Sequence, residues 1–135
     1  MSGVAEAPKP WMVWGGRVLT VLPILMLLMS AGMKIKRPPE VVDMFVGKFG
    51  FPESTLAPLA LLEIACAVLY AIPNTSVLGA VLATGYLGGA VATHVRVGDP
   101  FFAPLVLGVL VWAGLYLRDE RLRALMPLRR PAAGK

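Results

Sequence analysis

The chain has 135 residues, of which 57% are hydrophobic and only 16% are charged. A soluble domain of this size leaves too much surface in water to hide so many apolar side chains, so the composition favours a membrane protein. The formal net charge of +5 does not indicate a nucleic-acid partner, because the basic residues flank apolar runs and form no stripe with interleaved aromatic residues.

Four apolar runs alternate with charged or turn-forming segments. Each is about long enough to cross a hydrocarbon core of roughly 30 Å, which takes about 17–25 helical residues. They predict an all-α fold, a polytopic membrane four-helix bundle over residues 11–128, with a disordered tail at 1–10 and a basic tail at 129–135. The runs cover residues 12–33, 56–72, 77–95 and 101–117.

The segment between the first two runs has a helical pattern of its own. Pro38 and Pro39 end the first run, and apolar residues then recur at positions 41, 42, 45 and 49. The pattern predicts a short amphipathic helix that lies at the membrane surface or caps the bundle, and Gly50 closes it. The short connection at residues 73–76 makes the second and third spans antiparallel neighbours.

The basic residues predict the orientation of the bundle. Eight of them lie on the side of the termini and five on the other side, so the positive-inside rule predicts a multi-pass inner-membrane protein with both termini in the cytoplasm. The two groups are Lys9, Arg17, Arg118, Arg121, Arg123, Arg129, Arg130 and Lys135, against Lys34, Lys36, Arg37, Lys48 and Arg96.

The first run also resembles a signal peptide. Basic residues precede it, and the small residues at 30–32 resemble a cleavage site. Its apolar stretch is slightly long for a signal core, which favours a membrane span.

Glu63 lies in the middle of the second run. A carboxyl group at this depth costs several kcal/mol unless it is neutral, paired or hydrated. We therefore expect Glu63 to face the bundle interior, to be largely neutral, and to be a candidate general acid or base.

His94 is the chain's one histidine, and it shares a helix face with Ala90 and Tyr86, which lie four and eight residues before it. Antiparallel packing would leave an axial gap of roughly 6–9 Å between His94 and Glu63, which one small ligand or two waters would bridge. Lys34 and Arg96 would line the polar end of this site, unless each only extends its charge to the membrane interface. Tyr86 and Trp112 would line its apolar end.

No pattern indicates a metal site, a haem site or a nucleotide site, and the cofactor stays unassigned. One histidine and one cysteine supply neither a bis-histidine pair nor a disulfide. Gly85 and Gly89 form a small-residue motif that lets helices approach closely. It favours packing, within the bundle or against a partner or second copy, over making room for a ligand.

These residues resemble the DoxX-like family of small four-helix bacterial membrane proteins. The resemblance extends from about residue 17 to residue 128, and it is carried by the segments at 30–34, 61–64 and 85–100. It implies four transmembrane helices. The family is named for a subunit linked to thiosulfate:quinone oxidation, and most of its members have no assigned reaction, so the resemblance does not imply an activity.

Three hypotheses for function follow. The first is a protein that binds a small hydrophobic ligand, such as a quinone or another lipid-like carbonyl compound, in a redox or detoxification pathway. The second is a membrane-embedded isomerase or hydrolase that uses Glu63 and His94 as acid and base. The third is a structural subunit that packs against a larger membrane complex through Gly85 and Gly89.

Overall fold

The computed structural model describes residues 8–128, so the predicted C-terminal tail and most of the predicted N-terminal tail lie outside the described residues. Within that range the chain is helical and contains no strand, which confirms the all-α prediction. The α-helices are α1 (Pro10–Lys36), α2 (Pro39–Val42), α3 (Leu56–Ala71), α4 (Ser76–Arg96), α5 (Phe102–Arg118) and α6 (Glu120–Leu125).

The four predicted apolar runs correspond to α1, α3, α4 and α5. Three helical segments are long and apolar enough to cross a membrane, namely Pro10–Lys36, Glu53–Ala71 and Pro73–Arg96. The fourth, α5, is apolar but has only 17 residues, or about 26 Å of helix. These helices make the chain an integral membrane protein.

The four long helices pack as a ring. Helix α1 packs against α3 and α5, and α4 packs against the same two helices, so α1 and α4 lie on opposite sides of the bundle. Successive long helices are antiparallel, and Gly16 of α1 lies beside Leu117 and Arg118 of α5, so Pro10 and Arg118 lie at one end of the bundle. We call this the termini end, and the other the opposite end.

Two glycines permit the closest helix contacts. A Cβ atom at Gly79 of α4 would lie 2.3 Å from the backbone nitrogen of Tyr70 in α3, and one at Gly114 of α5 would lie 2.9 Å from the carbonyl carbon of Leu19 in α1. The Tyr70 hydroxyl donates a 2.7 Å hydrogen bond to the Val111 carbonyl oxygen. The half of the bundle near the termini is therefore tightly packed.

Residues 39–51, which we call the cover, close the opposite end. The cover begins as α2 and continues as a π-helix over Asp43–Lys48, so the predicted amphipathic helix is regular for only four residues. The wider π turn brings Phe45 against Phe49, with 5.5 Å between the ring centroids, and the helical part of the cover is followed by Gly50, which has a φ of +74°. π-Helical turns are rare and frequently occur at functional sites.

Candidate functional site

A cavity of about 720 Å³ lies between the four long helices and the cover, in the half of the bundle away from the termini. Cavities of roughly 300–1,000 Å³ are typical of small-molecule sites. Most of its lining is apolar, and its polar groups are few. Those polar side chains are Ser30, Lys34, Glu63, Tyr86, Thr93 and His94.

A buried ion pair between α1 and α3 lines the cavity. The Nζ atom of Lys34 donates to Oε2 of Glu63 at 2.9 Å, and the two side chains are only 5% and 3% exposed. Ser30, one helical turn before Lys34, donates to Oε1 of Glu63 at 2.8 Å and accepts from Nζ of Lys34 at 2.7 Å. Three side chains therefore form one closed hydrogen-bonded group.

This arrangement changes the expectation of a neutral Glu63. That expectation assumed a carboxyl group without a partner, whereas the structure supplies an ammonium and a hydroxyl to its two oxygens. The 2.9 Å contact between the ammonium and the carboxylate makes the two groups a buried ion pair. The Lys34 side chain thus turns inward to the carboxylate instead of extending to the membrane interface.

His94 also lines the cavity, and its Nδ1 atom is buried without a hydrogen-bond partner among the described residues. The nearest carboxylate oxygen, Oδ2 of Asp99, is 3.8 Å away, which is too far for a hydrogen bond. Asp99 is itself held by Lys48 of the cover, with 2.6 Å between Nζ and Oδ1. The edge of the His94 ring meets Phe49, at 5.1 Å between centroids. Among the described residues the buried Nδ1 atom is therefore left with only this long contact to Asp99.

Helix α4 also lines the cavity, through Gly85, Tyr86 and Gly89. Tyr86 is half-buried beside Leu27 and Leu87, next to the Glu63 carboxylate. No atom within 4 Å would meet a Cβ placed at Gly85 or Gly89. Within the described chain these glycines therefore open space for the cavity, whereas close helix packing takes place at Gly79 and Gly114.

Two predicted ligand residues lie outside this cavity. The Arg96 guanidinium donates to the Phe49 carbonyl oxygen and lies over the Phe51 ring, 5.9 Å from its centroid. Arg96 points around the helix from His94, because two residues turn an α-helix by about 200°, so it holds the cover in place. Trp112 lines a separate groove between α4 and α5, where its Nε1 donates to the Thr84 hydroxyl at 2.7 Å.

The structure adds residues that sequence reasoning missed. The rings of Phe45 and Phe49 line the cavity from the cover, and the centroid of the Phe45 ring lies 5.1 Å from the Lys34 ammonium. Four methionines form part of the wall. Three of them, at 26, 29 and 33, follow helical spacing on α1, and that pattern is visible in the sequence. The fourth is Met44 of the cover.

The described residues hold no cluster of three or more histidine, cysteine, aspartate or glutamate side chains that could bind a metal ion. Cys66 is buried in an apolar cluster with Leu27, Ala83 and Leu107. Cys66 therefore does not line the cavity.

Comparison with known proteins identifies the family. A family model described as the DoxX-like family matches residues 18–114, a range that contains every residue of the cavity lining. No curated protein and no solved structure matches the chain. With 97 of 135 residues matched, the chain belongs to the DoxX-like family of proteins.

Proposed function

We propose that this protein binds a small lipid-soluble molecule in the cavity, with a polar oxygen of that molecule against Lys34 and His94. A quinone or another lipid-like carbonyl compound fits this description, and its chemistry would serve a redox or detoxification pathway. The observation that carries the proposal is an apolar cavity of about 720 Å³ with a buried ion pair and the His94 side chain in its wall.

Lys34 supports recognition of a hydrogen-bond acceptor. An ammonium group has three donors, and two of them go to Ser30 and Glu63 among the described residues. A carbonyl or phenolate oxygen would accept the third. Because Glu63 balances the charge of Lys34, a neutral carbonyl compound would not leave an unpaired charge in the membrane.

The engagement of Glu63 favours binding over acid–base catalysis. Both carboxylate oxygens already accept hydrogen bonds, from Ser30 and Lys34. Holding the Lys34 ammonium and the Ser30 hydroxyl gives the carboxylate a positioning role in the binding site. The isomerase or hydrolase hypothesis would need one of its remaining lone pairs to reach a substrate proton.

We also propose that the protein crosses the bacterial inner membrane four times with its termini in the cytoplasm. The sequence places eight basic residues at the termini end and five at the opposite end, and one of those five, Lys34, is paired with Glu63. This distribution agrees with an excess of positive charge on the cytoplasmic side.

The binding proposal is tested by two matched substitutions on α4. Gly85→Leu places a side chain in the cavity, whereas Gly88→Leu, three residues on, places one in the groove beside Trp112. Each protein would be extracted in a mild detergent and titrated with decylbenzoquinone, and the bound quinone would be quantified by mass spectrometry.

We expect about one bound quinone per chain for the unaltered protein and for Gly88→Leu, and at least a tenfold lower affinity for Gly85→Leu. Equal binding by both variants, or no saturable binding by the unaltered protein, would contradict the proposal.

A further inference from the structure

The cavity wall includes exposed side chains of α1 at the depth of the hydrocarbon core. Met29 lines the cavity and is 66% exposed, and Met33 beside it is 43% exposed. Met29 is six residues from the midpoint of α1 at Pro23, or about 9 Å along the axis. Half of a bilayer core is roughly 15 Å thick, so this part of the wall faces lipid chains.

The side that faces water is closed by several independent contacts of the cover. Lys48 pairs with Asp99 in the connection between α4 and α5, and Arg96 donates to the Phe49 carbonyl oxygen. The Phe49 ring, which is 4% exposed, packs against His94. To open this side, the charged contacts would have to break together with the aromatic packing.

From these two observations we infer that the ligand is a single-chain amphiphile that reaches the cavity sideways from the bilayer, past Met29, while the cover stays closed. This inference rests on the proposed function. The polar group would lie at Lys34 and His94, and the chain would leave the cavity along Met26, Met29 and Met33. Methionine side chains are unbranched and flexible, so they can part around chains of different shape.

The ligand class follows from this path. A compound that arrives through lipid has to partition into the bilayer first, so a headgroup without a chain would be a poor ligand even if it fits the polar side of the cavity. The proposed path follows a single row of side chains on α1, at Met26, Met29 and Met33, which suits one chain better than two.

The experiment holds the cover closed with a covalent bond between Lys48 and Asp99, and we call the product the locked protein. Nζ of Lys48 and Oδ1 of Asp99 are 2.6 Å apart, so a water-soluble carbodiimide would join them as an amide, and peptide mass spectrometry would confirm the link. Asp99→Asn cannot be joined at this position and serves as the control for the chemical treatment. Met29→Trp narrows the proposed path, and Leu25→Trp is its matched control because Leu25 is 58% exposed on α1 but does not line the cavity.

Each protein would be placed in phosphatidylcholine vesicles, and the uptake of decylbenzoquinone from donor vesicles would be timed. We expect the locked protein and Leu25→Trp to take up the quinone within twofold of the untreated rate, and Met29→Trp to be at least tenfold slower. We also expect a benzoquinone without a chain to bind at least a hundredfold more weakly.

Blocked uptake in the locked protein with a normal rate in Met29→Trp would overturn lateral access, and the binding proposal would survive it. Equal affinity for the quinone without a chain would overturn the assigned ligand class. If the unaltered protein bound neither quinone, the proposed function itself would fail. Because the lock requires no substitution, the test does not depend on the folding of Met29→Trp.

Discussion

Lys34 of α1 and Glu63 of α3 form a 2.9 Å ion pair that is almost completely buried between two apolar helices. Charges at this depth are expensive unless they are paired and hydrogen-bonded. Ser30 satisfies the remaining carboxylate oxygen, so the pair fixes the register of α1 against α3 and gives the cavity its polar side.

Removing one member of the pair should destabilise the bundle more than removing both. Lys34→Met leaves a buried carboxylate without its cation, and we expect a loss of about 3–5 kcal/mol of unfolding free energy. The double variant Lys34→Met/Glu63→Leu should recover most of this loss. Reversible unfolding in mixed detergent micelles would measure both. A double variant that is less stable than Lys34→Met would contradict this role of the pair.

Glu63→Gln tests whether the carboxylate charge is needed for binding in a bundle that still assembles. The amide keeps the shape of the side chain and can still hydrogen-bond to Ser30, so we expect the bundle to assemble, as judged by size-exclusion chromatography. It removes the charge that balances Lys34, and decylbenzoquinone affinity should fall by about tenfold, which corresponds to about 1.4 kcal/mol. Unchanged affinity in Glu63→Gln would argue that the carboxylate does not organise the site.

Gly79→Ala tests the closest contact between α3 and α4. Its new Cβ would lie 2.3 Å from the Tyr70 backbone nitrogen, so the helices would have to separate. Overpacking of this kind typically costs about 1–3 kcal/mol. Gly88→Ala is the control, because no atom lies within 4 Å of its Cβ position. Unfolding midpoints should drop for Gly79→Ala alone, and equal midpoints for the two variants would show that the contact is not tight.

Tyr70→Phe removes the hydrogen bond between α3 and the Val111 carbonyl oxygen. The carbonyl would be left buried, and we expect a loss of about 1–3 kcal/mol in unfolding free energy. Tyr116→Phe is a suitable comparison because Tyr116 is half-buried and its hydroxyl makes no hydrogen bond within residues 8–128. If the two variants lose the same stability, the hydrogen bond contributes nothing specific.

The proposed orientation is tested with reporter fusions. Alkaline phosphatase is active only outside the cytoplasm, so a fusion after Leu128 should be inactive and a fusion after Gly98 should be active. The opposite pattern would place the cavity and its cover on the cytoplasmic side and reverse the proposed topology.

The helices of the bundle and much of the site could be predicted from the sequence. A charged side chain is costly in contact with lipid, so the position of Glu63 in the middle of an apolar run predicts that it faces the bundle interior. Helical spacing put Tyr86 and His94 on the same face of α4, and both line the cavity.

The remaining features depend on neighbours that helical spacing does not reveal. Arg96 and Trp112 were assigned to the site by position along their helices, but the Phe49 carbonyl oxygen and the Thr84 hydroxyl hold them elsewhere. A π-helix has hydrogen bonds across five residues and no distinct pattern of apolar positions. The contact between Lys48 and Asp99 could not be predicted, because it depends on how the cover folds back over the bundle.

The most direct test of the central claim is the infrared spectrum of the bound ligand. Decylbenzoquinone with ¹³C at its carbonyl carbons would be bound to the unaltered protein and to Lys34→Met, and the isotope-sensitive carbonyl bands would be compared with those of the quinone in lipid. We predict that one carbonyl band shifts to lower frequency in the unaltered protein and that the shift disappears in Lys34→Met. A spectrum identical to that of the quinone in lipid would contradict recognition by the buried ion pair.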